Sequence, residues 1–419
     1  MNAPTRRGFC PGLDAPMATG DGLLARLTPS GATIALDAFA GLCAAARTHG
    51  NGVIEITSRG SIQFRGLSAA SALEFAAAVA ALGIAASEGI PVLLDPLSGL
   101  DPGEAFDAGA LAADLRDELA AAPFASRLAA KASVIVDGGG ALHLDDIAGD
   151  VRLRAVAGTT ATNFHVALGG DATAIALGAV APGHAVECVV RLLEALAESA
   201  PRARMRDAIR GERLRAFRSA VAGLIVDAPI PAARPAAQPI GVHALQSGRA
   251  ALGVGLPFGH SDAEALQRLL DAARSACASG LRTAPGRALL VLGLPADKAQ
   301  NFAAEAASLG FIVEADDPRR RVIACAGAPI CASGEIPARA MAPTIARALS
   351  ATPHAADIVH VSGCAKGCAH PAPASVAIFG REGACDLFLD GALSCSVTVA
   401  EAPERIGQIM RSRVEAAHG

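Results

Sequence analysis

The chain contains neither tryptophan nor tyrosine, and its aromatic rings are 13 phenylalanines. Proteins that stack nucleic-acid bases present rings in series, and no such series is spelled out here. A basic surplus is missing too: 36 Lys and Arg face 40 Asp and Glu, for a net charge of -4, with no basic run. That excludes the electrostatic footprint of a nucleic-acid partner. Long apolar stretches are absent. The longest, residues 75–86, is too short to cross a bilayer, so no membrane partner is expected. Arg6 and Arg7 are not followed by an apolar segment of the secretory kind. The expected compartment is therefore the cytoplasm. Thiols stay reduced there, so grouped members of the ten cysteines point to metal rather than to disulfides.

What is present is a folded, Ala-rich chain of 419 residues, 52% hydrophobic and 18% charged. That length suits several domains with sizeable cores. Two stretches look alike. The first opens Gly20-Asp21-Gly22-Leu23 and enters a helix with Leu36, Phe39, Ala40 and Cys43 on its inner face. It breaks at Gly50-Asn51-Gly52 and continues as a strand over 53–57. The second opens Gly253-Val254-Gly255-Leu256, and Ser261 with Glu264 reads as a capping box. The helix that follows carries Leu266, Leu269, Leu270, Ala273 and Cys277 on one face, and a strand over 288–294 comes next. Each copy then runs through a second helix, over 68–83 and 296–309. Units this small bury a poor core alone, so the two copies are expected to pair as one pseudo-twofold domain. Between the halves, residues 227–239 carry Pro229, Pro231, Pro235 and Pro239 and read as an extended linker. Residues 131–136 and 356–361 read as buried strands.

Four cysteines fall in two close pairs: Cys325 and Cys331 with five residues between them, Cys364 and Cys368 with three. Four thiolates are what a cubane iron–sulfur cluster needs, one per iron. Soft thiolate also suits zinc, but a zinc ribbon uses shorter knuckles. The neighbours Ala326, Gly327, Gly363 and Gly367 leave room for a bulky inorganic core and expose backbone N–H groups to it. A third reading, a zinc- or cluster-stabilised binding protein without enzymatic activity, is separated from these by iron and sulfide analysis. Gly253-Val254-Gly255-Leu256-Pro257 is not a dinucleotide fingerprint, and no flavin or nicotinamide motif is present.

The Cys-x5-Cys and Cys-x3-Cys pattern resembles that of the sirohaem-dependent nitrite and sulfite reductases. The flanks are similar to one branch of that superfamily, the precorrin-3B synthases. The stretches that carry the likeness are Gly8-Phe9-Cys10-Pro11-Gly12-Leu13, residues 16–26, and His360-Val361-Ser362-Gly363-Cys364-Ala365-Lys366-Gly367-Cys368-Ala369-His370-Pro371. The resemblance implies an α+β fold with a duplicated layout. Two ferredoxin-like half-domains, 14–85 and 240–308, pair. Two reductase-like α+β domains, 86–226 and 309–419, complete the molecule, the second carrying a [4Fe–4S] cluster on Cys325, Cys331, Cys364 and Cys368. It implies an oxidoreductase that hydroxylates precorrin-3A with lactone formation, using molecular oxygen and an external electron donor, ferredoxin or NAD(P)H-linked. A separate non-haem iron is implied as well, with His165, His360 and His370 as candidate ligands. The alternative is a sirohaem-dependent sulfite or nitrite reductase, in which Cys368 would bridge cluster and sirohaem.

A precorrin carries many carboxylates, and the planar fork of Arg is suited to them. Thr57-Ser58-Arg59-Gly60-Ser61-Ile62-Gln63-Phe64-Arg65 is similar to the reductases' macrocycle-lining Thr-x-Arg-x-x-x-Gln-x-Arg stretch. On a strand Arg59, Gln63 and Arg65 share one face. Arg282 and Arg287 flank the matching turn of the second copy, and Arg26 lies on the first strand. Lys131 looks like the lysine of the reductases' Lys-Phe stretch, although Ala132 follows it here. These seven residues are the expected substrate contacts, and Lys366 is the cation expected to act on the cluster. No residue is singled out as catalytic acid or base.

Overall fold

The computed structural model describes residues 11–87, 89–158, 161–209, 213–350, 357–370 and 374–418. Gly8, Phe9, Cys10, Ala356 and Pro371 of the stretches above lie outside them. The first half-domain holds β1 (Met17–Thr19), β2 (Gly22–Leu27), α1 (Leu36–His49), β3 (Val53–Ile56), β4 (Ile62–Leu67) and α2 (Ala69–Ala80). Strand alternation sorts its residues. Ile54, Ile56, Ile62 and Phe64 are buried, while Glu55, Gln63 and Arg65 occupy the opposite, partly exposed face. Ser68 and Ser71 cap α2 reciprocally, so the helix starts one residue later than the pattern suggested.

The first reductase-like domain follows: β5 (Val92–Leu94), α3 (Gly109–Ala121), β6 (Val134–Asp137), β7 (Gly149–Ala157), β8 (Thr162–Gly170), β9 (Ile175–Val180), α4 (Ala185–Ser199), α5 (Met205–Ala208), α6 (Arg213–Ala220) and β10 (Ile225–Val226). The second half-domain has β11 (Gly241–Ala244), β12 (Ala250–Gly255), β13 (His260–Asp262), α7 (Ala263–Ser275), β14 (Gly280–Ala284), β15 (Ala288–Leu294) and α8 (Ala299–Ser308). The last domain contains β16 (Val322–Ala324), α9 (Ala338–Leu349), β17 (Val359–Ser362), β18 (Val376–Arg381), β19 (Ala384–Leu389), β20 (Ala392–Thr398) and α10 (Ala402–His418). Both reductase-like sheets share a plan. Parallel strands β5-β6-β7 and β16-β17-β18 lead into antiparallel runs through β10 and β20.

The two half-domains form one body. Phe39, Leu42, Ile54, Phe64 and Phe75 share a single apolar core with Leu266, Leu269, Leu270, Leu289 and Phe302. The segments that enter the two first helices also cross over. β13 pairs with β3 of the other copy, and Ile34, just ahead of α1, bridges Leu281 on β14. The crossing explains one misread cap. Ser261 pairs with Ile54 on the strand, and Asp262 caps α7 instead, accepting from Ala265 N. Cys277 is not on the helix's inner face. α7 ends at Ser275, and Cys277 is exposed with φ 61°. Cys43 is buried as expected.

Residues 227–239 are extended but strapped down rather than free. Arg234 binds Asp145 at 2.7 Å and also Asp137, Pro235 O meets His143 Nε2 at 2.8 Å, and Ala232 O accepts from Arg154 at 3.0 Å. The strand expected over 131–136 begins at Val134, because a turn closed by Ala132 N donating to Ala129 O at 2.8 Å precedes it. Among the described residues no helix is long and apolar enough to cross a membrane.

Candidate functional site

β16 and β17 are parallel neighbours, so the loops leaving their C-terminal ends emerge side by side. In open α/β sheets that edge is where ligands bind. Cys325 directly follows β16, and Cys364 lies two residues beyond β17. Backbone bonds knit the loops together. Cys325 N donates to Val361 O at 3.1 Å, Glu335 N to Gly363 O at 2.7 Å, and Cys331 N to Gly327 O at 2.8 Å. Gly363 N–H points at Cys325 Sγ, 3.0 Å away. Ser362 Oγ donates to Cys364 O at 2.7 Å, fixing the second loop. Glycine is required here: Gly327 has φ +63°, and a Cβ on it would stand 2.4 Å from Ala338 N.

The β1–β2 turn of the first half-domain closes on this assembly. Ala332 N donates to Gly20 O at 2.9 Å, and a Cβ on Gly20 would lie only 2.3 Å from Cys331 Sγ. Burial raises the Cys325 thiol's pKa, opposed by the Gly363 and Gly327 N–H groups and reinforced by Cys331 and Cys364. The Cys325 sulfur therefore feels the nearby Cys331 and Cys364 sulfurs, a repulsion that a cationic iron–sulfur core would offset. Cys368 is exposed at the rim of the same loop. The donor set is soft thiolate with inward N–H groups, which fits a cluster. Among the described residues no three His, Cys, Asp or Glu side chains lie close enough together to grip a single metal ion. A cubane takes one thiolate at each of four irons and spreads its ligands more widely than one ion does.

The implied non-haem iron finds no such ligand group among the described residues. His165 sits on β8 of the other reductase-like domain. His360 and His370 stand edge to face with centroids 5.9 Å apart, beside the Cys364–Cys368 loop. His360 is 2% exposed with Nε2 unpartnered, and burial, with His370 and Arg287, holds its pKa down at about 4.

The polar face of the first sheet carries a row across four strands. Arg26 on β2 is opposite Gln63 on β4, which is opposite Glu55 on β3, which is opposite His260 on β13. With its amide oxygen turned toward Arg26, Gln63 accepts from Nε and Nη2 at 3.2 and 2.6 Å. Arg65 grips Asp21 through two bonds of 2.7 Å and touches Glu55 at 3.5 Å. Burial works against that guanidinium's charge, but the two carboxylates outweigh it and its pKa stands above the ordinary value. Burial alone would raise Asp21, but Arg65 outweighs it and holds the carboxyl below the usual range.

The remaining expected contacts divide. Arg59 lies in the turn before β4, so only Gln63 and Arg65 share the strand face. It reaches the first reductase-like domain, donating to Ala148 O at 2.6 Å and Ser133 Oγ at 3.4 Å. Arg287, with φ 65°, projects from the equivalent turn toward the cysteine loop and donates to Ala369 O at 3.4 Å. The two turns touch, Gly286 N donating to Ser58 O at 3.1 Å. Arg282 is engaged by backbone, donating to Ser98 O at 2.8 Å and Pro96 O at 3.3 Å. Lys131 is exposed in its turn, next to the Ser133 that Arg59 holds. Lys366 is exposed and donates to Ser333 Oγ at 2.9 Å. Asp21, Glu55, His260 and Arg339 escaped the sequence reading. Only Glu55 had a signal, the Ile54-Glu55-Ile56 alternation that places it beside Gln63.

Comparison with known proteins bears on the whole arrangement. Residues 15–82 match the family model described as the nitrite/sulfite reductase ferredoxin-like half domain. The solved structure of the Mycobacterium tuberculosis NirA protein superposes with a TM-score of 0.75, covering 94% of this chain and 81% of that one at 20% identity. A ferredoxin–nitrite reductase from Synechococcus elongatus is 25% identical over 83% of this chain and 75% of its own. The duplicated halves and paired reductase-like sheets thus define the class, that of the nitrite/sulfite reductase fold. A precorrin-3B synthase from Sinorhizobium sp is 36% identical over 99% of this chain and 91% of its own length. Within the class, the chain belongs to the precorrin-3B synthase family.

Proposed function

We propose that this chain converts precorrin-3A to precorrin-3B, an oxygen-dependent ring hydroxylation with lactone formation in aerobic cobalamin biosynthesis. The name of the Sinorhizobium relative motivates the substrate. The observation that supports the redox chemistry is the convergence of the cysteine loops, with Gly363 N–H on Cys325 Sγ and Cys331 seated on Gly20. In this reading Cys325, Cys331, Cys364 and Cys368 hold a [4Fe–4S] cluster, and the metal-free macrocycle lies beside Cys368. When bound, the cluster supplies single electrons.

The rest falls to the protein. Arg26 on β2 and Gln63 on β4 present donors from one sheet face, Arg59 and Arg287 project from the two touching turns, and Lys131 belongs to the first reductase-like domain. Together they meet the carboxylates around a macrocycle. Arg65 enters this set with its charge already balanced by Asp21, so it orients a carboxylate by hydrogen bonding more than by net attraction. One atom of oxygen enters the product and the other leaves as water. Each turnover therefore takes two electrons and two protons, the electrons from an external ferredoxin or NAD(P)H-linked donor.

The test is turnover of precorrin-3A by the purified, cluster-loaded protein under isotopically labelled oxygen, with the product's mass recorded. One labelled atom in the product is the expected result. A protein that purifies with sirohaem absorption, reduces sulfite or nitrite and leaves precorrin-3A unchanged would overturn the reading in favour of a reductase.

A further inference from the structure

The cation that the sequence places between the cluster cysteines, Lys366, faces solvent and is tied to Ser333. A different cation occupies the inner side. Arg339 lies in the first turn of α9, and its neighbour Ala338 packs against Gly327 inside the Cys325–Cys331 loop. Its side chain is 15% exposed, and Nη2 donates to Glu55 Oε1 at 3.1 Å. Its Nε is buried and has no hydrogen-bond partner. Burial lowers the Arg339 pKa, opposed chiefly by Glu55 and least by Cys325, which lies within reach of its charge. Glu55 is shared: its other oxygen meets Arg65 at 3.5 Å, and Arg65 is balanced in turn by Asp21. The line of alternating charge Arg339–Glu55–Arg65–Asp21 thus leaves the Cys325 loop, crosses β3 and β4, and returns to the β1–β2 turn that closes on Cys331.

We infer that Arg339 is a positioning residue that sets the reduction potential of the cluster, its fixed charge beside Cys325 favouring the reduced state and Glu55 limiting that effect. The inference rests on the cluster reading given above. Reduction adds one negative charge to the cluster. A cation in a site shielded from water interacts with that charge far more strongly than an exposed lysine does. An N–H group aimed at a cluster sulfur acts in the same direction. Glu55 carries the opposite charge on the far side of the guanidinium, so removing it has the opposite sign.

The experiment is an anaerobic redox titration of the full chain, following the paramagnetic signal of the reduced cluster, with iron and acid-labile sulfide measured on each sample. Arg339→Gln is expected to make reduction about tenfold less favourable, a fall of about 59 mV for one electron. Arg339→Lys should recover most of that fall, and Glu55→Gln should shift the midpoint upward. Full cluster content with an unmoved midpoint in both Arg339→Gln and Glu55→Gln overturns the inference, as does a shift of the same sign in both. Wild-type protein without iron and sulfide would instead remove the cluster reading, and this inference with it. If Arg339→Gln does not fold, Arg339→Lys and Glu55→Gln still decide. No upward shift in Glu55→Gln counts against it.

Discussion

Gly20→Ala tests the cluster site through a residue that ligates nothing. The added methyl would stand 2.3 Å from Cys331 Sγ and 3.0 Å from Ala332 N. Non-bonded heavy atoms settle at about 3.5–4 Å, so turn and sulfur must separate by about 1.2 Å or more. The turn cannot simply swing away. Gly20 O accepts from Ala332 N, and next to it Asp21 is held by the two bonds from Arg65. Ligand constellations tolerate displacements of about 0.5 Å, and overpacking of this sort costs about 1–3 kcal/mol. The expected outcome is a folded protein that takes up the cluster poorly. The assay is iron and acid-labile sulfide per chain, with visible absorption before and after reduction and circular dichroism to verify the fold. Gly183→Ala is the control, since nothing lies within 4 Å of its added carbon. Gly20→Ala protein carrying a full complement of iron and sulfide, at wild-type stability, would refute the placement of Cys331 as a ligand.

Cys364→Ser should abolish cluster absorption and turnover together, and retained absorption would remove Cys364 from the ligand set. Arg59→Ala should weaken precorrin-3A binding about tenfold while iron content stays intact, measured by fluorescence or absorbance titration; an unchanged Kd would make Arg59 a purely structural tie to Ala148. Asp95 is 1% exposed, and burial, helped by Asp137, Glu104 and Asp101, raises its pKa from 3.8 to about 7. A raised carboxyl stabilises the fold fully below pH 3.8 and loses that contribution as pH rises through 7, about 4 kcal/mol in all. Asp95→Asn should therefore gain in Tm relative to wild type between pH 5 and pH 8, and an equal gap at both values would contradict the shift.

The features legible in the sequence were those carried by local pattern. Alternation exposed β3 and β4, an unbroken apolar run exposed β15, the 3.6-residue period exposed α1 and α7, and the spacing of four cysteines exposed the loops that meet at β16 and β17. What escaped depended on distant partners. Ser261 looks like a cap until β3, two hundred residues earlier, claims it as a strand residue. Cys277 continues the apolar stripe of α7 on paper, but the chain leaves the helix at Ser275 and turns through a positive φ. Lys366 sits between Cys364 and Cys368 in sequence yet faces solvent. Arg339, eight residues past Cys331 and outside the cysteine pattern itself, is delivered to the site by the packing of Ala338 on Gly327. The proline-rich connector reads as loose because its anchors, Asp137, Asp145 and His143, belong to another domain.

The crossover between the copies also limits how the chain can be divided. Severing it within 227–239 would leave an N-terminal piece whose β3 lacks the β13 edge and a C-terminal piece whose β14 lacks its bridge to Ile34. Each fragment would present raw backbone donors and acceptors that only the other can match. Coexpressed, the two pieces should reassemble into one particle. Expressed singly, each should associate with itself or precipitate, so interdependence of the halves is built into the backbone rather than confined to side-chain packing.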